Sequence, residues 1–314
     1  EFGVGMRVAE FEKYPRQGKL AKLPNDSLIY EMGRQIAEDM HSLKIDINFA
    51  PVVDVNVHPE TGSMKDRSFG PDKHLVAEYG SAFMRGMQDN GVIACAKHFP
   101  GHGDTATDSH HALPVLDFPM ERLDTLELYP FRKLMDDGVE MVMVGHLQVP
   151  ALDTLPASVS YNVITGLLRK KMNYDGIITT DALNMKGVLA PFDGSYERAT
   201  LGAYIAGADI LLMPKHITES IDLIVNYIGN DPKKLEDLDR RVSRILMMKI
   251  ICGKLLISRE STHAVAYDEI FNSARGNKLS HRRLHLIPGG LMIDPAQVSP
   301  AATSALIERI NAGI

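Results

Sequence analysis

Five short, largely apolar runs constrain the fold of this chain more than any other feature. They lie at 45–49, 92–96, 141–144, 177–180 and 210–213, and each is followed by a loop and then a helical pattern. Amphipathic segments with a period near 3.6 separate them: Leu28, Met32, Ile36 and Met40 form one stripe, and Leu75, Tyr79, Phe83 and Met87 another. Asn90-Gly91 and Gly138 stand where helices should stop, and Asp175-Gly176 turns the chain into the next run. Strands that lack a polar face and alternate with helices predict a parallel sheet covered on both sides.

Two α/β architectures satisfy that alternation: an open doubly wound sheet and a (β/α)8 barrel of the TIM type. The open sheet should carry a glycine-rich phosphate loop after its first strand, and the chain contains neither GxGxxG nor GxxxxGK[ST]. A barrel instead collects unusual polar residues at the carboxyl ends of its strands. Asp54, Lys97-His98, His146 and Asp181 follow the first four runs in that way, so the barrel is the expected fold. Five strands do not close a barrel, which makes it incomplete or rearranged. Residues 217–250 read as two helices, 286–293 as a further strand and 301–310 as a further helix.

Composition narrows the function. A net charge of −6 over 314 residues leaves no basic face for nucleic acid. No apolar stretch approaches the roughly 20 residues of a membrane span. Two cysteines, Cys95 and Cys252, do not make a disulfide framework.

The chemistry concentrates in residues 97–111, a segment that leaves a buried strand with four of the twelve histidines and two aspartates. Gly101 and Gly103 allow sharp turns or close approach of the backbone, and catalytic groups favour such loops on rigid sheets. In Asp108-Ser109-His110 a carboxylate stands two residues from an imidazole, where it can fix the tautomer and raise the pKa. Competing readings remain at this point. His98, His102, His110 and His111 are a possible metal set, although their spacing matches no helical HxxxH pattern. The loop's histidines can also simply hydrogen-bond locally. Asp181 can be the N-cap of a helix containing Leu183 and Val188.

Residues 97–111 followed by Ala112-Leu113-Pro114 resemble the signature loop of the glycoside hydrolase family 3 β-N-acetylglucosaminidases, the NagZ-like branch. Further segments resemble the same family in the same order: Ile47-Asn48-Phe49-Ala50-Pro51-Val52-Val53-Asp54, Asp66-Arg67-Ser68-Phe69-Gly70, Met143-Val144-Gly145-His146 with Val149-Pro150-Ala151-Leu152-Asp153, Thr179-Thr180-Asp181-Ala182-Leu183-Asn184-Met185, and Gly207-Ala208-Asp209-Ile210-Leu211-Leu212. The resemblance implies a retaining exo-β-N-acetylglucosaminidase acting on cell-wall muropeptides or related glycans through a covalent glycosyl-aspartate. It makes Asp181 the nucleophile and His110, tuned by Asp108, the acid/base. Arg67, Lys97 and His98 would bind sugar hydroxyls, Asp54 would support them, and His146 would join the substrate site. No metal or cofactor is expected, and the expected state is a monomer in the bacterial cytoplasm or periplasm. A metal-dependent hydrolase, a family 3 β-glucosidase and a catalytically silent sugar-binding protein are the alternatives.

The resemblance divides the chain into a barrel domain, 1–250, and a C-terminal segment, 251–314. In the family, a sugar-binding Asp lies two residues before the position of Glu1, behind a β/α unit absent here. Gly289-Gly290-Leu291-Met292-Ile293 and residues 299–311 resemble that unit, as in a circular permutation. A C-terminal extension is the preferred expectation.

Overall fold

A computed structural model describes residues 1–58, 64–105, 113–253 and 309. Its centre is a parallel sheet in the order β1 (Ile47–Asn48), β2 (Ile93–Phe99), β3 (Met141–Val144) and β4 (Ile177–Thr180). The register aligns Ile47 with Ile93, Cys95 with Met141, and Met141 with Ile177. The fifth run contributes one parallel bridge, Thr179 to Ile210. Helices cross over between the strands, giving the TIM-type α/β fold expected from the alternation.

Two element boundaries differ from the sequence pattern. The first run yields only a two-residue strand, because the Ala50 N–H turns back to the Asn48 carbonyl; pairing resumes in a bridge from Val52 to Lys97. The second continues past 96 to Phe99, so Lys97 and His98 lie inside the strand rather than after it. Both are almost fully buried, and the burial is tolerated because each side chain has a charged partner, described below.

The helices α1 (Gln17–Leu20) and α2 (Ser27–Ser42) precede β1, and α3 (Lys73–Gln88) lies between β1 and β2. The predicted stripes of α2 and α3 are buried: Met32, Ile36 and Met40 on one, Tyr79, Phe83 and Met87 on the other. Their axes approach closely because Gly33 and Gly86 meet at the crossing. A Cβ on Gly86 would overlap the Tyr30 carbonyl oxygen, and one on Gly33 would press on the Phe83 carbonyl. The Asp72 carboxylate accepts the His74 N–H and caps α3, which ends at the expected Asn90-Gly91 turn.

After β2 come α4 (Met120–Thr125) and α5 (Leu128–Asp136); a π-helical segment, Asn162–Lys171, precedes β4. After β4 come α6 (Tyr196–Ala206), α7 (Ile217–Ile228) and α8 (Pro232–Ile251), the last two being the pair of helices expected over 217–250. No described helix is long and apolar enough to cross a membrane.

Side chains alternate across the sheet. Ala94, Ala96, Val142 and Val144 pack toward the surrounding helices, whereas Ile93, Cys95, Met141, Met143 and Ile177 form a second cluster that Met248 of α8 seals. One buried carboxylate fixes α8. Asp209 accepts Arg169 Nη2 and the Ile178 N–H on one oxygen, at 2.7 and 2.8 Å, and Arg244 on the other. The expected strand over 286–293 and, apart from residue 309, the expected helix over 301–310 lie outside the described residues, and with them the choice between extension and permutation.

Candidate active site

Asp54, Lys97, His98 and Asp181 gather at the carboxyl ends of the strands, where this class of fold places its chemistry. Asp54, wholly buried, is the hub. Its Oδ2 faces His98 Nδ1 at 2.8 Å, and its Oδ1 accepts the backbone N–H groups of His98 (3.0 Å) and His102 (2.7 Å). Burial alone would raise the Asp54 pKa, but His98 and the donated N–H groups outweigh it and hold the carboxyl below its usual value. The stem of the histidine loop is thereby pinned to the strand. Thr105 Oγ1 reaches His102 Nδ1 at 2.6 Å, and Asp104 pairs with Arg122 of α4 at 2.8 Å. Burial and His98 push the His102 pKa down.

Asp181 stands one residue past β4. Its N–H donates to the Val144 carbonyl, and its Oδ1 accepts the Ala182 N–H at 2.7 Å. No α-helix begins at Asp181; 3-10 turns at Lys186–Val188 and Ala190–Phe192 come before α6, so the helix N-cap reading fails. Thr179 and Thr180 are fully buried behind a half-buried Asp181, which leaves the carboxylate at the mouth of the sheet. Burial opposes its ionisation; His98, His146, the Ala182 N–H and Lys97 favour it more strongly, and its pKa lies below the ordinary range.

Arg67 and Lys97 face a residue that the sequence pattern had marked only as a landmark. Arg67 donates from Nε and Nη2 to the two oxygens of Glu1, at 2.8 and 2.7 Å, and Lys97 Nζ joins at 2.8 Å. Two cations in one expected site required a counter-anion, and that was the available signal. Arg67 Nη2 also lies 3.5 Å from His98 Nε2, linking this group to the Asp54 hub.

His146 does not fit the expectation of a sugar ligand. It is completely buried, with Nδ1 2.6 Å from Ser158 Oγ and Nε2 2.9 Å from the Ala182 carbonyl. Protein atoms occupy both ring nitrogens, so the ring braces the turn that carries Asp181. Asp108 and His110 lie outside the described residues. Among the described residues no three His, Cys, Asp or Glu side chains are grouped to hold a metal ion.

The sequence pattern described as Glycosyl hydrolase family 3 N terminal domain matches residues 1–248. The chain belongs to glycosyl hydrolase family 3. It is 34% identical over 293 residues to β-hexosaminidase A of Pseudoalteromonas piscicida, covering 86% of this chain and 46% of that protein. With the β-hexosaminidase LpqI of Mycobacterium bovis BCG it shares 35% over 243 residues, 75% of this chain and 62% of the relative. The solved family 3 β-N-acetylglucosaminidase from Paenibacillus sp. str. FPU-7 superposes with a TM-score of 0.76 at 33% identity, over 96% of this chain and 52% of that one. The family 3 chain described here thus spans about half the length of such relatives.

Proposed function

We propose that this domain removes terminal β-linked N-acetylglucosamine from cell-wall muropeptides or related glycans, with retention of configuration. The observation that carries the proposal is Asp181: an ionised, half-buried carboxylate at the mouth of the sheet, braced by His146 and flanked by the Arg67–Lys97–His98 wall. The names of the relatives, β-hexosaminidases and a β-N-acetylglucosaminidase, support the substrate class.

Displacement at an anomeric carbon needs a carboxylate that stays ionised and a proton donor for the departing oxygen. Asp181 meets the first need, because its depressed pKa keeps it charged at neutral pH. His110, paired with Asp108, takes the second role in place of the usual second carboxyl group. Protonated, it gives its proton to the leaving oxygen as the Asp181–C1 bond forms and the glycosidic bond breaks. Neutral, it then removes a proton from the incoming water, which attacks C1 and frees Asp181. Arg67, Lys97 and His98 present donors to ring hydroxyls, and Asp54 holds the His98 ring in place.

Hydrolysis of a nitrophenyl N-acetylglucosaminide tests this directly. Asp181→Ala should lower turnover by at least about a thousandfold, the scale of losing a nucleophile. Turnover within tenfold of the parent would refute the assignment of Asp181.

A further inference from the structure

Arg67 and Lys97 arrive from separate segments, a 3-10 turn and the sheet, and converge on one carboxylate. Both bond the same Glu1 oxygen, Oε2, at 2.7 and 2.8 Å. The side chains are largely shielded, with 30% of Arg67, 8% of Lys97 and 12% of Glu1 exposed. An arginine fork beside a lysine is the usual recognition element for sulfate, phosphate or a carboxylate. Here that element is already filled by an anion belonging to the chain.

We propose that Glu1 is a specificity-determining residue: it occupies the anion-binding geometry of Arg67 and Lys97, so that their remaining N–H groups receive neutral hydroxyls and free anions are turned away. The proposal rests on the sugar-cleaving function proposed above. The donor inventory is consistent with it. Arg67 directs two of its N–H donors at Glu1 and Lys97 directs one; Arg67 Nη1 spends one more on Met64 Sδ at 3.8 Å, which leaves Lys97 two donors and Arg67 Nη1 one for a ligand. The charge count agrees as well. Asp54 and Asp181 also act on Arg67, so loss of the Glu1 charge removes one of three anions that balance the two cations and makes an added anion a better guest than before.

Two variants separate charge from shape. Glu1→Gln keeps the size and removes the charge; Glu1→Asp keeps the charge and shortens the arm. Calorimetric titration with inorganic sulfate gives a readout independent of turnover. Glu1→Gln should bind sulfate at least tenfold more tightly than the parent, and Glu1→Asp should stay within threefold of it. With nitrophenyl N-acetylglucosaminide, Glu1→Gln should raise KM about tenfold while kcat changes less than threefold, and sulfate should become a competitive inhibitor. A residue that only supported the fold would lower activity without creating sulfate affinity. Equal sulfate affinity in the parent and Glu1→Gln overturns the proposal, even when Asp181→Ala behaves as expected. An inactive parent bears on the function proposed above, while the sulfate titration still decides the role of Glu1.

Discussion

Replacing Asp54 by Asn tests the hub of the site with almost no change in shape. The carboxylate serves three donors: Oδ1 takes two backbone N–H groups, at 3.0 and 2.7 Å, and Oδ2 takes His98 Nδ1 at 2.8 Å. Asparagine has one carbonyl oxygen, and the two backbone donors will claim it. Its NH2 group then faces Nδ1, donor against donor, unless the ring moves its proton to Nε2. That proton would point toward Arg67 Nη2, only 3.5 Å away. One charge-assisted bond is lost in a site with no solvent to replace it, at a cost of about 2 kcal/mol. If the His98 orientation is needed equally in the transition state, kcat/KM falls about thirtyfold, at roughly 1.4 kcal/mol per factor of ten. Steady-state hydrolysis of nitrophenyl N-acetylglucosaminide gives the rate, and nitrogen NMR of labelled histidine reports the tautomer. Stability adds an independent check. Because the folded-state pKa of Asp54 is depressed, its contribution is complete above the unfolded value of 3.8 and is lost as pH falls through the lower folded value. The parent should therefore lose stability in that acid window, and Asp54→Asn should lack that component. A variant with kcat/KM within twofold of the parent and an unmoved His98 proton would refute the reasoning.

Three further outcomes are expected. Asp209→Asn leaves two arginines, 18% and 25% exposed, facing each other without their carboxylate; breaking such a buried pair costs about 3–5 kcal/mol, a fall in Tm on the order of 10 °C, and a calorimetric shift under about 2 °C would contradict it. Gly86→Ala gains roughly 1 kcal/mol of helix propensity but forces α2 and α3 apart at the Tyr30 carbonyl, so urea denaturation should show a net loss of about 1–3 kcal/mol, and a stabilised variant would disprove the close crossing. Because the proposed nucleophile Asp181 would have to be ionised to attack and its pKa is depressed, the acid limb of kcat/KM should fall below the ordinary carboxylate value of 3.8; a midpoint above that value would count against the described surroundings of Asp181.

What could be read in advance followed from local rules. Alternation of apolar runs with 3.6-period stripes reports on burial over a few residues, so the parallel order β1-β2-β3-β4 and the helices over 217–250 were accessible. Asp54, Lys97-His98 and Asp181 were accessible because polar residues at strand ends are costly unless used. The misplacements came from partners distant in sequence. Lys97 and His98 continue β2 only because Glu1 pairs with the ammonium and Asp54 bonds the imidazole inside the fold, and no window around residue 97 contains either. His146 had the right type and position, yet Ser158 and the Ala182 carbonyl turned it inward. Glu1 could have been found only by asking which anion balances Arg67 and Lys97.

The order in which the polypeptide leaves the ribosome gives these contacts a temporal reading. Glu1 and Arg67 are 66 positions apart and Asp54 and His98 are 44 apart, so the whole Glu1–Arg67–Lys97–His98–Asp54 group has been synthesised once residue 98 emerges. Asp181 appears more than eighty residues later, and Met248, which seals the sheet, later still. Growing at roughly 5–20 residues per second, a nascent chain would hold Glu1, Arg67, Lys97 and His98 several seconds before Asp181, the proposed nucleophile, is made.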